Sequence, residues 1–411
     1  MKPVSLQPAV ELFRRRRGAW ASLFELEAGP GRIAALEGLR GAAILLVFQV
    51  HFHVLFAPWI AIHPAVNAVS EFLHVIGHSG VDLFFLLSGY LIYSGVLSKA
   101  VPYGRFLHRR ARRIYPAFHV VLVVYLTLFL ALPERSKLPG GSAFETLWAV
   151  AVNALLLPGF FDMQPFITVS WSLSYEVVFY TLLPVLVHLT GMREWERRKR
   201  VLFWVVLAGM YLTACFAWGG GLFWEAIRLR PASHARMVFF TAGILLYEAH
   251  ESGKLRSWLN PRREALTLAY LALAWAAYYW LGRFLDTADA GRIEAARTLV
   301  LAPALCALTG CALAVAGFWQ QLFTGSALRW TGNISYSFYL THSLALQGLA
   351  LVATARVSPG WISLLGLSAA ALALSYALAV ALFLAVEKPV SLARPATVRL
   401  TAEQYSEREN A

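Results

Sequence analysis

Apolar residues gather along the chain into eleven runs separated by short polar connections: 41–60, 80–98, 114–132, 145–160, 172–190, 201–218, 236–250, 264–282, 298–318, 334–354 and 361–386. A helix needs about 20 residues to cross the apolar layer of a bilayer, so 145–160 and 236–250 are short. The polar connections decide which runs cross. "KAVPYGRFLHRRARR" (99–113), "MREWERRKR" (192–200) and "KLRSWLNPRR" (254–263) are rich in Lys and Arg and belong on the cytoplasmic side. With the amino terminus inside, three spans place 133–170 outside. The 172–190 run must then return inward to reach "MREWERRKR", which works only if 145–160 does not cross. That piece is expected to be re-entrant or interfacial, because irregular backbone at membrane depth is tolerated only where protein covers it. The expected fold is all-α and integral to the membrane, with about ten spans and both termini cytoplasmic. Under this topology nine of the 36 Lys and Arg residues fall outside.

Composition agrees with the pattern. Hydrophobic residues make up 58% of the 411 and charged residues 14%, against about 25% charged in an ordinary soluble domain, and the mean hydropathy is +0.58. A formal net charge of +13 could mark a nucleic-acid binder. Its placement in short clusters between apolar runs fits membrane orientation instead, and no nucleic-acid partner is expected. Cys215, Cys306 and Cys311 lie inside apolar runs, with no disulfide framework and no zinc spacing. "ELFRRRRGAW" is followed by acidic and Gly-rich sequence rather than an apolar core and cleavage site, so no cleavable signal peptide is expected. No internal repeat is visible. The expected organisation is a basic cytoplasmic segment 1–36, a transmembrane domain 37–390 and a cytoplasmic tail 391–411.

Several ionisable residues fall at membrane depth, where an unpaired charge is expensive and is by default a candidate functional group. Glu176 stands in "SWSLSYEVVFYTLLPVLVHL", about one turn below the outer surface on this topology. Arg40 and His51 lie in "LRGAAILLVFQVHFHVLF". Eleven residues of helix turn through about 1100°, so the two share a face and stand about 16 Å apart. Arg40 is a cation at the inner rim, and His51 is an imidazole in the outer half, able to change protonation near neutral pH. Asp82 opens "GVDLFFLLSGYLI" near the outer side, where a helix N-terminus also favours a carboxylate. Arg109, Arg110, Arg112 and Arg113 crowd into five residues of "RFLHRRARRIYP". Membrane retention explains a basic loop, but planar arginine forks also suit phosphates. His342, in "GNISYSFYLTHSLAL", lies about two turns from the cytoplasmic face.

Taken in order, "GLRGAAILLVFQVH", "GVDLFFLLSGYLI", "RRARRIYP", "SWSLSYEVVFYTLLP", "LRWTGNISYSFYLTH" and "EKP" resemble the acyltransferase-3 family of bacterial integral-membrane O-acyltransferases. The resemblance runs from Glu37 to Pro389. It implies ten spans in the bacterial cytoplasmic membrane and an acyl-CoA donor, acetyl-CoA in the first instance. It also implies acylation of a hydroxyl, usually on a cell-surface or exported carbohydrate or its lipid-linked precursor. The family's Arg–His pair falls on Arg40 and His51, its basic pair on Arg110 and Arg113, and its acidic motif on Glu176. Val177 stands where many relatives have a second glutamate. The esterase-like carboxy-terminal module of some relatives is not expected here.

On this reading His51 is the base that takes the acceptor proton, with Glu176 or Asp82 orienting it. Arg40 and the 109–113 cluster hold the coenzyme A phosphates, and His342 meets the donor or helps protonate its thiolate. Other readings are a small secreted metabolite such as a macrolide as acceptor, and a transporter without chemistry. A metal site is not expected: His51 and His53 point about 200° apart on one helix, and "HSGVD" leaves only three residues between His78 and Asp82.

Overall fold

The computed structural model describes residues 23–25, 33–98, 101–159, 161, 163–217, 235–284 and 290–392. Most of the expected segments 1–36 and 391–411 lies outside the described residues. The described chain is helical, with no strand. Its main helices are α1 (Ala34–Leu55), α2 (Pro64–Gly77), α3 (Ser79–Ser98), α4 (Tyr103–Ala131), α5 (Ala143–Ala154), α6 (Ser170–Leu189) and α7 (Arg197–Ala217). They continue with α8 (Val238–Glu251), α9 (Pro261–Phe284), α10 (Ala290–Ala314), α11 (Ser326–Asn333), α12 (Ser335–Arg356) and α13 (Trp361–Leu382), which runs into a π-helical stretch, Phe383–Ser391.

Eight helical stretches among the described residues are long and apolar enough to cross a bilayer: α1, α2 with α3 as one rod, α4, α6, α7, α10, α12, and α13 with the π-helical stretch. The protein is therefore an all-α, multi-pass membrane protein. The 236–250 run folds as α8, whose 14 residues extend only about 21 Å. Large apolar side chains on several of these helices face outward, among them Leu182, Leu189, Leu202, Met210 and Ile362. Such exposure would be costly in water and suits lipid.

The 145–160 run folds as α5, with 12 residues, too short to cross. Ser142 and Glu145 form a capping box at its start. Its far end reaches mid-length of α4, where Tyr115 Oη donates to the Leu155 carbonyl (3.3 Å) and His119 Nε2 meets the Ala154 carbonyl (3.1 Å). The connection that follows stays inside: Leu156, Phe166, Ile167 and Val169 are buried. Asn153 Oδ1 accepts from the Phe166 amide, and Lys137 Nζ donates to the Pro165 carbonyl. Val169 then offers its carbonyl to Tyr339 Oη, early in α12. So α6 begins within the bundle rather than at its surface.

Backbones approach closely where side chains are absent. A Cβ on Gly332 in α11 would overlap the Glu37 carbonyl oxygen of α1, and one on Gly41 would overlap the Leu328 carbonyl oxygen. Contact of this kind is how membrane helices gain packing without a hydrophobic drive. It fixes α1 beside α11 and hence Arg40 beside the start of α12. Replacing Gly332 by Leu should lower stability by about 1–3 kcal/mol, in the range of overpacked cores. Thermal unfolding in detergent reads this directly, and an unchanged midpoint would contradict the packing.

Candidate active site

Arg40 lies in the second turn of α1 and donates through Nε and Nη2 to Ser335 Oγ at the first residue of α12, at 3.3 and 3.2 Å. The two residues share a small cavity of about 60 Å³ whose other walls include Phe84 and Phe85 of α3, Ser172 and Glu176 of α6, and Tyr339 of α12. Glu176 accepts from Ser88 Oγ on one oxygen and from Tyr180 Oη on the other, both at 2.9 Å. A carboxylate at this depth thus has both oxygens hydrogen-bonded and a guanidinium across the cavity, which offsets much of its desolvation. Ser88 sits mid-way along α3. Glu176 therefore faces the middle of α3 at the Arg40 cavity.

Two of the four clustered arginines join this group. Arg110 lies over the Phe106 ring (5.5 Å) and the Tyr180 ring (6.0 Å), and its Nε is buried without a hydrogen-bond partner. Arg113 pairs with Glu387 through Nη1 at 2.5 Å and lies over the Tyr336 ring at 5.8 Å. Arg112 donates instead to the Val390 carbonyl, and Arg109 is exposed. Helical spacing explains the division: 110 and 113 are three apart and share a face, while 109 and 112 share another.

Glu387 was visible in the sequence only as part of "EKP". It is fully buried in the π-helical stretch. Besides Arg113 it accepts from the Ser337 amide (3.1 Å) and hydroxyl (2.5 Å), capping the first turn of α12. Inserted π turns inside helices recur at functional sites.

His342 and His51 meet. Their ring centroids are 5.1 Å apart, although the run boundaries put one near the cytoplasmic face and the other in the outer half. The two helices pack together so that residue eighteen of α1 reaches residue eight of α12. His342 is fully buried, and its Nδ1 lies 3.0 Å from the Phe338 carbonyl. A carbonyl can only accept, so Nδ1 carries the proton and Nε2 keeps a bare lone pair; that Nε2 is buried without a partner. The ring of His51 has no hydrogen-bond partner among the described residues. Tyr339 links this pair to the Arg40 cavity: its ring lies 6.0 Å from His342, and its hydroxyl meets Ser172 Oγ at 2.6 Å.

Neither carboxylate touches His51. Asp82 is buried and lies 3.5 Å from Arg236 Nη1. Arg236 also donates to Glu294 (2.6 Å), the Tyr278 hydroxyl (3.0 Å) and the His78 carbonyl (3.4 Å). Arg236 and Glu294 gave no distinguishing signal in the sequence. Among the described residues no group of three or more His, Cys, Asp or Glu is arranged to hold a metal ion.

The arrangement is a polar track through an apolar bundle: three guanidiniums and two carboxylates at one end, a hydroxyl-lined cavity, then two facing imidazoles. It can grip an anionic group, pass a flexible chain and move a proton. Breaking the Arg113–Glu387 pair with Glu387→Gln should cost about 3 kcal/mol or more, as for a buried pair losing one charge. An unfolding midpoint equal to wild type in detergent would show that the pair anchors nothing.

Residues 33–380 match the model of a family described as an acyltransferase domain. The chain is 24% identical over 346 residues to a peptidoglycan O-acetyltransferase, OatA, of Listeria monocytogenes, covering 75% of this chain and 49% of that protein. It is 25% identical over 331 residues to nodulation protein 10 of Rhizobium leguminosarum bv. viciae, covering 74% and 81%. It is 26% identical over 339 residues to the acyltransferase MdmB of Streptomyces mycarofaciens, covering 77% and 79%. The chain thus spans about half the length of the first of these relatives and about four fifths of the other two. No solved structure matches it.

Proposed function

Since the chain belongs to the acyltransferase family matched over residues 33–380, and so is a membrane enzyme that transfers acyl groups, we propose that it moves an acyl group from cytoplasmic acyl-CoA to a carbohydrate hydroxyl. The acyl group is taken as acetyl, and the setting as the bacterial cytoplasmic membrane, crossed about ten times with both termini inside. The observation that carries the proposal is the track itself, with its arginines, cavity and paired imidazoles in line. The peptidoglycan O-acetyltransferase named above supports a carbohydrate acceptor, as does the resemblance to an exopolysaccharide production protein, ExoZ, of Rhizobium meliloti, 26% identical over 285 residues.

Arg40, Arg110 and Arg113 stand where the diphosphate of coenzyme A would be held, with Arg110 Nε free to donate. From Arg40 to His51 the helix rises about 16 Å, a span that an extended pantetheine arm can cover. Glu176 and Glu387 do not act on the imidazoles. They hold the arginines, Glu176 from across the cavity and Glu387 by direct pairing, and keep the end from being purely cationic when empty.

At the far end of the arm His51 takes the proton of the acceptor hydroxyl as its oxygen attacks the thioester carbonyl. The carbon–sulfur bond breaks, and the thiolate needs a proton. His342 offers the relay: its bare Nε2 can accept from protonated His51 and release to sulfur, while Nδ1 stays anchored on the Phe338 carbonyl. No proton is gained or lost overall.

His51→Ala should lower transfer by about 10²–10⁴-fold and leave acyl-CoA affinity near wild type. Radiolabelled acetyl transfer in inside-out vesicles, with coenzyme A binding measured on the same protein, reads both, and full activity in the variant would refute the base assignment. Arg110→Gln should do the converse. Loss of a charge-assisted contact of about 1.5–3 kcal/mol predicts a donor KM raised by about tenfold or more, with the acceptor KM unchanged; an unaltered donor KM would remove Arg110 from the phosphate site.

A further inference from the structure

Three more imidazoles surround the His51 end. His74 lies in the last turn of α2, His78 joins α2 to α3, and His53 lies two residues beyond His51 on α1. The His53 and His74 rings stack at 4.7 Å, and the His74 and His78 rings meet edge-on at 5.2 Å. His74 reaches the carbonyl of Val50, the residue that precedes His51 on α1. Glycine makes this crowding possible. A Cβ on Gly77 would press to 2.7 Å from Val50 Cγ2 and 2.8 Å from the Leu46 carbonyl oxygen, and one on Gly80 would overlap the Ala43 carbonyl oxygen. The junction of α2 and α3 therefore rests directly on the stretch of α1 that precedes His51.

The rings are far from fully paired. His53 Nδ1 meets Ser70 Oγ at 2.9 Å, and His74 Nδ1 meets the Val50 carbonyl at 3.2 Å. Their Nε2 atoms have no protein partner among the described residues, and neither do the ring nitrogens of His51 and His78. Asp82, one turn past His78, has neither oxygen hydrogen-bonded and is 1% exposed. A buried unmatched polar group costs about 1–3 kcal/mol, a cost that falls here on the two Asp82 oxygens. His51, His53, His74 and His78 are only half-buried, so their ring nitrogens keep their hydrogen-bonding capacity open to a ligand.

We propose that His51, His74 and His78, with Asp82 beside them, form the acceptor subsite, which takes a neutral polyhydroxylated ring and presents one of its hydroxyls to His51. The inference rests on the acyltransferase reading above and identifies where its second substrate sits. Each imidazole donates at one nitrogen and accepts at the other, a carboxylate accepts, and a sugar hydroxyl does both, so the inventories match. Charge argues for a neutral ligand. Arg236 and Arg297 are balanced by Asp82 and Glu294 within the same cluster, leaving no surplus charge to attract an ion. None of these histidines lines the Arg40 cavity, so donor and acceptor would occupy different places and meet at His51.

The test uses the full-length protein in nanodiscs with acetyl-CoA as donor and chitotetraose as acceptor probe. His78→Ala and His74→Ala should each raise the chitotetraose KM by about fivefold to tenfold, the worth of one lost neutral hydrogen bond. Their acetyl-CoA dissociation constants should match wild type, and the exposed His188→Ala should change neither. In parallel, chitotetraose should slow carbethoxylation of His74 and His78 in the wild type, read by mass spectrometry, which needs no variant to fold. An acceptor KM unchanged in both variants while the wild type acylates chitotetraose overturns the subsite and leaves the acyltransferase reading standing. Stoichiometric zinc that is lost in both variants also overturns it, by making the cluster a metal site. A wild type that binds acetyl-CoA yet acylates no carbohydrate fails the acceptor reading itself, and the subsite with it.

Discussion

Arg40 and His51 are held at a fixed separation by one unbroken helix, Ala34–Leu55, with Glu176 beside the Arg40 end and His342 beside the His51 end. The constraint is dielectric. Within an apolar bundle a guanidinium or carboxylate is tolerated only with partners, and an imidazole is cheapest when neutral. The charged residues accordingly collect where they neutralise one another, Arg40 and Arg110 about Glu176 and Arg113 on Glu387. The reaction end carries histidines, which can hold a proton briefly without a permanent charge, and the charges near it, Asp82, Arg236, Glu294 and Arg297, are paired among themselves. An ionic donor head group and a neutral hydroxyl acceptor are the substrates such a gradient of charge suits.

The ends of this line are secured by different devices. At the Arg40 end Glu387 ties the π-helical stretch to both α4 and the first turn of α12, so the helix carrying His342 is registered against the helix carrying Arg113. At the His51 end the glycines of the α2–α3 junction let backbone rest on backbone. The short α5 and its buried return do a third job. They lead through a buried connection into α6, whose Glu176 shares the cavity with Arg40, and they supply the Val169 carbonyl that holds the Tyr339 hydroxyl.

Much of this was legible in the sequence. Apolar runs located nearly all the long helices, and the run of Lys and Arg clusters forced 145–160 to be a piece that does not cross. The Arg40–His51 spacing is a property of any straight helix. Lateral contacts were not legible. The bond from Ser88 to Glu176 and the cavity that Glu176 shares with Arg40 could not be read, because run boundaries do not say which side chains of neighbouring helices face one another. His342 looked remote from His51 because crossing angles depend on side-chain packing between helices far apart in sequence. Asp82 looked like a partner for the imidazole, but its partner is Arg236, a residue that stands in an unremarkable stretch. Glu387 had a motif but no role until its three contacts were seen together.

The most direct test of the account is a cryo-EM structure of the protein bound to a non-hydrolysable acetyl-CoA analogue. The account predicts the diphosphate against Arg40, Arg110 and Arg113, the pantetheine through the cavity beside Glu176 and Tyr339, and the acyl carbon next to His51 and His342. An analogue whose diphosphate lies away from these arginines, or whose acyl group points away from the two histidines, would contradict it.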